Sequence, residues 1–97
     1  MEDIRKERVV IDVGEVETSE ELQVVLKEKL DFPDFYGENW DAFWDAITGL
    51  VELPETVIFE NWGNLEHSLP EEARTLKKML SNFNERHPSW KAKIEYV

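Results

Sequence analysis

The sequence predicts a two-layer α/β fold in which a three-stranded parallel sheet packs with three to four helices. Three short runs, at residues 9–13, 56–59 and 91–97, are rich in β-branched residues or alternate apolar with polar residues, as strands do. The segments between them have the apolar periodicity of helices. Strands that are separated by helices are joined by crossover connections, and these produce parallel pairing.

Length and composition indicate one domain that spans residues 1–97. The chain has 97 residues and no cysteine, which predicts a modest core, no disulfide and a reducing compartment. Residues 1–7 are mostly charged and are expected to form a loosely ordered N-terminal extension without the apolar region of a signal peptide. No apolar run approaches the ~20 residues that span a bilayer. The sequence therefore predicts a cytoplasmic protein with no membrane partner.

The negative charge of the chain is concentrated in one window. The formal net charge is −11, and residues 30–73 contain eleven acids but neither lysine nor arginine, whereas the rest of the chain holds eleven acids and eleven bases. Nucleic acids and anionic membranes bind positive surfaces, so both are disfavoured as partners. A basic protein that is attracted electrostatically is favoured, although an acidic surface can also serve solubility alone.

The first strand and the first helix are marked by composition and by a cap. Residues 9–13 (VVIDV) form the predicted strand. Thr18 and Glu21 have the spacing of a capping box, which predicts a helix over residues 19–30. Its buried face is indicated by apolar residues at helical spacing, which are Leu22, Val25, Leu26 and Leu30.

A loop and a second helix follow. Pro33 and Gly37 interrupt regular structure, and Gly37 can take a positive φ without steric cost. Asn39 stands at the N-cap position of the helix, and Gly49 stands where the helix should stop. The helix between them has about three turns. Its core face is predicted from the apolar residues that cluster at 100° per residue, which are Trp40, Phe43, Trp44 and Ile47.

Two aspartates on this second helix are not required for folding. Asp41 and Asp45 are spaced i, i+4, so their carboxylates lie one turn apart, where a like-charge pair destabilises a helix by about 0.2–0.5 kcal/mol. Aspartate is also a weak helix former. One interpretation is solvated surface charge, and the other is a site for cationic groups. The residues of the pair alone leave both open.

A buried strand and a short helical segment come next. Pro54 closes the loop after the second helix, and residues 56–59 (TVIF) are nearly all apolar, which suits a strand that is buried on both faces. The mixed segment at residues 61–69 is predicted to hold one or two helical turns anchored by Trp62 and Leu65.

The last helix and the last strand complete the chain. Ser68 and Glu71 have capping-box spacing, which predicts the helix start, and the helix should end before Pro88. Residues 91–97 alternate as an edge strand does. The core face of the helix is indicated by apolar residues at helical spacing, which are Leu69, Ala73, Leu76, Leu80 and Phe83.

The most distinctive residues form one ungapped block between positions 36 and 54. They are Tyr36-Gly37-Glu38-Asn39, Asp41-Ala42, Trp44-Asp45, Thr48-Gly49, Glu52 and Pro54. This block resembles the barstar family, small intracellular inhibitors of secreted ribonucleases. The length and element order of the whole chain also fit that family. The resemblance implies the same architecture and an inhibitor that is not an enzyme.

The resemblance also implies a set of partner-binding residues. Asp45 would enter the active site of a barnase-like basic ribonuclease in the place of a substrate phosphate, with Asp41 in support. A carboxylate suits this role because arginine and histidine side chains that hold phosphate also donate charge-assisted hydrogen bonds to it. The complex would be 1:1, with no cofactor and no metal. The other residues implied at the contact are Phe35, Gly37, Asn39, Trp44, Thr48, Gly49, Leu50 and, by its position late in the last helix, Glu85.

Some of these residues also have structural interpretations, or depart from the family. Trp44 borders the predicted core face, and Asn39 serves the helix cap. Phe35 and Leu50 stand where the family prototype has tyrosine and tryptophan, so they bear on which ribonuclease is bound. The resemblance further implies a cis peptide bond before Pro54.

Two other functions compete with the inhibitor hypothesis. A metal-dependent hydrolase could be built on Glu38, Asp41 and Asp45, but the chain lacks a nucleophile pattern and metal-ligand spacing. An acidic adaptor with the same fold, binding a different basic protein, is the second alternative. Residues 35 and 50 are where a change of partner would show.

Overall fold

The computed structural model describes residues 5–97 and is built around a small sheet. The strands are β1 (Arg8–Asp12), β2 (Thr56–Glu60) and β3 (Lys93–Tyr96). Their order is β1-β2-β3, and both pairings are parallel, with Val10 opposite Ile58 and Ile58 opposite Glu95. The crossovers that the helices impose therefore give the parallel sheet that the sequence predicts.

The central strand is buried on both faces, as its composition predicts. Val57, Ile58 and Phe59 of β2 are all buried, although consecutive side chains point to opposite sides of a sheet. The alternating strand β3 lies at an edge, with Ile94 and Tyr96 half-buried and Lys93 exposed, which is also as predicted.

Helices and the loops between them make up the rest of the described chain, and the helices together with the sheet confirm the predicted fold class. A π-helical turn extends α2, and a single 3₁₀ turn precedes β3. The helical elements are α1 (Ser19–Lys29), α2 (Trp40–Asp45), the π turn (Ala46–Leu50), α3 (Trp62–Ser68), α4 (Pro70–Arg86) and the 3₁₀ turn (Pro88–Trp90). No helix within residues 5–97 is long and apolar enough to cross a membrane.

One hydrophobic core joins these elements. Trp62 and Leu65 are buried and anchor α3, as predicted, and Trp62 packs against Phe59 with ring centroids 5.5 Å apart. Most of the predicted core positions of α1, α2, the π turn and α4 are buried in the same core, whereas Val25, Trp40, Trp44 and Leu69 are partly buried and pack against it. The buried ones are Leu22, Leu26, Leu30, Phe43, Ile47, Ala73, Leu76, Leu80 and Phe83.

The cap of α1 forms with one change of partner. The Thr18 hydroxyl accepts a hydrogen bond from the Glu21 amide at 3.1 Å, as in a capping box. The Glu21 carboxylate accepts from the amide of Glu17 at 2.8 Å, one residue before the position that the motif predicts. The helix still gains two satisfied amides at its start.

The predicted capping box of the last helix is wrong. Ser68 is the final residue of α3, and the N-cap of α4 is Leu69, which provides no side-chain hydrogen bond. The two helices meet at this residue, because the Leu69 amide donates to the Leu65 carbonyl while the Leu69 carbonyl accepts from the Ala73 amide. Pro70 at the first position of α4 needs no amide partner, so the start tolerates the missing cap.

Two predictions about the segment after α2 are also wrong. Gly49 does not stop the helix, because it lies inside the π turn, which ends when the Val51 amide donates to the Ala46 carbonyl at 3.0 Å. No cis peptide bond occurs within residues 5–97, so the bond between Leu53 and Pro54 is trans. The trans form is the intrinsically favoured one by about 0.5–1 kcal/mol.

The segment before β1 is attached to the domain from Arg5 onward. The Arg5 side chain donates to the carbonyls of Leu53, Trp90 and Lys91 at 2.6–2.8 Å, and Lys6 forms an ion pair with Asp31. Residues 1–4 of the predicted N-terminal extension lie outside the described residues.

Candidate protein-binding site

The loop before α2 is held by aromatic side chains that point inward. Phe32 and Tyr36 are buried with ring centroids 4.7 Å apart, and Phe32 also packs edge-on against Phe43 at 5.8 Å. The Tyr36 hydroxyl donates to the buried Gln23 side chain, and burial together with the charge of Glu38 raises the Tyr36 pKa above its usual range. The loop is therefore fixed from inside.

Phe35 is left outside by this arrangement. Its side chain is 76% exposed, the largest exposure among the bulky apolar residues of the described chain. Burial of Phe32 and Tyr36 on either side of Phe35 accounts for the outward position. An exposed aromatic ring on an anchored loop is a typical feature of a protein-binding surface.

The start of α2 is set by Asn39. Its side-chain oxygen accepts from the Ala42 amide at 2.8 Å, and its side-chain nitrogen donates to the Gly37 carbonyl at 3.3 Å. The positive φ of this turn belongs to Glu38 (58°) and not to Gly37. Glycine is favoured at position 37 by space instead, because a β-carbon there would make a close contact of 3.3 Å with that of Ala42.

The two aspartates lie on the outer side of α2. Asp41 and Asp45 are both exposed, whereas Phe43 of the same helix and Ala46 at the start of the π turn are fully buried. Neither carboxylate forms an ion pair with any residue of the 5–97 region. Two other acids of residues 30–73 do form ion pairs, Asp31 with Lys6 and Glu38 with Lys27. Both of these acids lie between α1 and α2.

Two tryptophans hold α2 in place on either side of its core face. The Trp40 indole donates to the Glu72 carboxylate at 3.1 Å and packs edge-on against Phe43. Trp44 is half-buried, and the Arg86 guanidinium lies 5.9 Å from its ring centroid. Both contacts tie α2 to α4, so the orientation of the aspartates depends on tertiary packing.

The π turn presents the next three residues to solvent. The Thr48 hydroxyl donates to the Trp44 carbonyl at 2.7 Å, and the wider i→i+5 bond from Val51 closes the turn. Thr48, Gly49 and Leu50 are all exposed, and Leu50 is 49% exposed despite its apolar side chain. Insertions of this kind occur often at functional sites.

The structure brings together nine of the ten residues predicted for the partner contact. Eight of them are exposed and Trp44 is half-buried, and all nine lie in the loop, α2 and π turn of residues 35–50, which we call the 35–50 surface. Glu85 lies apart from them. It lines an open groove between α4 and β3, with Lys77, Lys78 and Tyr96 among its neighbours.

Arg86 of α4 reaches the 35–50 surface at Trp44, as Glu72 does at Trp40, and the sequence reasoning missed both contacts. Glu85 follows the buried Phe83 by two positions, or about 200° around the helix, and so points away from the core side. Arg86 follows Phe83 by three positions and returns to that side, where it meets Trp44. The helical periodicity of α4 could therefore have predicted that Arg86, and not Glu85, lies on the side of α4 that faces the core.

This arrangement can bind cationic groups. Asp41 and Asp45 can accept charge-assisted hydrogen bonds from basic side chains. Within residues 5–97, no group of three or more histidine, aspartate or glutamate side chains is placed to hold a metal ion. The hydrolase alternative based on Glu38, Asp41 and Asp45 therefore gains no support from the geometry.

Comparisons with known proteins agree with this fold. A family model described as Barstar (barnase inhibitor) matches residues 7–96. A Bacillus subtilis (strain 168) protein named "Putative ribonuclease inhibitor YrdF" is 49% identical over 55 residues, which are 57% of this chain and 60% of that protein. The chain thus matches less than two thirds of the length of this relative. The family match covers nearly all of the described residues, and the chain belongs to the Barstar family.

Proposed function

We propose that the chain inhibits a barnase-like basic ribonuclease by binding its active site with the 35–50 surface in a 1:1 complex. The observation that carries the proposal is the pair Asp41 and Asp45, exposed on α2 and without a cationic partner in the described chain. The family description and the name of the Bacillus subtilis relative support a ribonuclease as the partner.

The Asp45 carboxylate takes the place of a substrate phosphate. The cationic side chains that bind phosphate donate charge-assisted hydrogen bonds to it, and Asp41, one turn away, adds negative charge. Because α2 is capped at Asn39 and buried through Phe43, the carboxylates are already in position before binding. Little conformational freedom is lost, which favours affinity.

Inhibition in this proposal is steric and electrostatic. The surface covers the active site and neutralises its positive charge, and no covalent bond is made or broken. Residues 30–73, which include the site, carry eleven acids and neither lysine nor arginine, so a basic enzyme is attracted from a distance. We place the inhibitor in the cytoplasm of the cell that makes the ribonuclease, a reducing compartment in which a chain without cysteine is at home.

The other contact residues have smaller roles in this proposal. Phe35 provides an exposed ring, and Gly37 and Asn39 bring backbone atoms to the enzyme. Trp44 is half-buried, so part of its side chain packs against the core and part is available to the enzyme. Thr48, Gly49 and Leu50 give shape to the rim of the contact. Glu85 lies apart from this rim, in the groove between α4 and β3, and has no role in the proposal.

An adaptor that binds a different basic protein remains a second candidate. The observation that favours it is the apolar exposure of Phe35 and Leu50, at 76% and 49%, where the family prototype has larger or more polar aromatic residues. Both side chains lie on the 35–50 surface, so they affect partner choice directly.

An inhibition assay with barnase tests the proposal. We expect the wild-type chain to abolish cleavage of a fluorogenic RNA substrate at stoichiometric amounts, and Asp45→Ala to require a large excess. Glu66→Ala is the matched control, because it removes an exposed acid of the same window from α3, away from the 35–50 surface. If the wild-type chain leaves barnase activity unchanged, the adaptor becomes the better hypothesis.

A further inference from the structure

A cleft of about 610 Å³ opens beside the 35–50 surface. The π turn forms one wall through Thr48, Gly49 and Leu50, and the 3₁₀ turn forms the other through Trp90. Arg5 lies in the same lining and joins its walls, because its guanidinium donates to carbonyls of both the 53–54 loop and the 3₁₀ turn. The volume falls in the range of sites that accept a side chain or a small ligand.

The cleft has an unusual amount of exposed apolar surface for this chain. Leu50 and Trp90 line it and are 49% and 50% exposed, and they are two of the five large apolar residues of the 5–97 region that are largely exposed. Both belong to short turns that are fixed by backbone hydrogen bonds, from Val51 to Ala46 and from Trp90 to His87. Exposed apolar residues that cluster in a concave site mark a binding surface more strongly than scattered ones.

The charge of the cleft differs from that of the neighbouring acidic surface. Three cations (Arg5, Lys6 and Lys29) and two acids (Asp31 and Glu52) line it, so the formal balance is 3 − 2 = +1. Lys6 is already paired with Asp31. A neutral or acidic segment therefore suits the cleft better than the basic residues that suit Asp45.

We propose that this cleft is a second anchoring site for the ribonuclease, and that it receives an apolar side chain from a neutral or acidic loop beside the enzyme's active site. The inference rests on the proposed function. The cleft is continuous with the 35–50 surface, because Thr48, Gly49 and Leu50 belong to both. An enzyme seated on Asp45 extends over this wall, and Trp90 then supplies the kind of large side chain that dominates binding energy at interfaces.

The test measures the dissociation constant of barnase for four chains: wild type, Trp90→Ala, Trp90→Phe and Val24→Ala. We expect Trp90→Ala to raise the constant at least tenfold, mainly through faster dissociation, and Trp90→Phe to recover most of the loss. Val24→Ala is the control, since Val24 is an exposed apolar residue of α1 outside the cleft, and it should change the constant less than twofold. Urea melts of each variant check that the fold is intact.

The outcomes separate this inference from the function on which it rests. If wild type binds barnase and Trp90→Ala binds within twofold of Val24→Ala, the cleft is not an anchor and the proposed function stands. If wild type does not bind barnase, the proposed function and the anchor are both overturned. Sedimentation of the free chain completes the test, because a dimer that Trp90→Ala dissociates would show that the cleft holds a second copy instead.

Discussion

Replacing Asp45 by alanine separates the role of the acidic pair in binding from its role in folding. Asp45 is exposed and has no ion pair in the described chain, so its removal costs the folded state no attractive contact. It relieves about 0.2–0.5 kcal/mol of repulsion with Asp41, and alanine is the better helix former. We therefore expect Asp45→Ala to leave the free energy of unfolding unchanged or to raise it by up to about 1 kcal/mol.

The same substitution should be severe for binding. In the proposed complex the carboxylate faces several desolvated cationic donors, and its loss would leave them unpaired at a cost of about 2–5 kcal/mol, a range that includes charge pairs of barnase–barstar itself and is therefore taken from this family. Since 1.4 kcal/mol corresponds to a factor of ten, the dissociation constant should rise by roughly 30-fold to several thousandfold. Asp41→Ala should act in the same direction but less.

Calorimetric or kinetic titration with barnase, alongside urea melts, measures both effects. Glu66→Ala controls for the change in net charge, because it removes one charge from α3 instead of α2. The reasoning is refuted if Asp45→Ala binds barnase as tightly as Glu66→Ala does. A loss of stability of more than about 1 kcal/mol would also refute it, because it would show that Asp45 supports the fold.

Three further predictions follow from the charge window, the helix cap and a buried phenol. The association rate with barnase should fall steeply between about 0.01 and 0.5 M salt in stopped-flow measurements, because salt screens the attraction exerted by the acids of residues 30–73. An association rate that does not depend on salt would mean that these acids serve only solubility. Asn39→Ala should destabilise the fold by about 1 kcal/mol in urea melts, since it removes the hydrogen bond to the Ala42 amide, whereas an exposed control such as Asn64→Ala should have little effect. Burial raises the Tyr96 pKa from 10.0 to about 12, so the fold favours the neutral phenol. The stabilising contribution of this preference to folding is complete below pH 10 and is lost as the pH rises towards about 12. Urea midpoints measured from about pH 9 to 11.5 should therefore fall less in Tyr96→Phe than in wild type, and equal slopes would contradict the assignment.

The sequence predicts those parts of the site that depend on local interactions. Asn39 caps α2 through the amide three residues later, and Phe43 is buried at its predicted helical position. The outward placement of Asp41 and Asp45 follows from the same periodicity. These features need only a short stretch of chain, so the pattern of residues was sufficient to predict them.

Features that depend on distant chain segments were mispredicted or missed. Gly49 is typical of a helix stop, but the π turn continues past it to Leu50. The chain just beyond is held by a distant segment, because Leu53 is buried and its carbonyl accepts from the Arg5 side chain. Ser68 has good capping chemistry but is used to complete α3. Trp90 lies forty residues from Leu50, and only the folded chain shows that both line one cleft.

The division of α2 into two sides explains how a helix of only six residues can present a charged site. Such a helix is too short to be stable alone, and the like charges of Asp41 and Asp45 weaken it further. Its stability must come from burial of Phe43 and from the contacts of Trp40 and Trp44 with α4. The aspartates are thus held by the core and need no partner within the fold. Their hydrogen-bonding capacity remains available for the cationic groups of the ribonuclease, which is the property that the proposed inhibition requires.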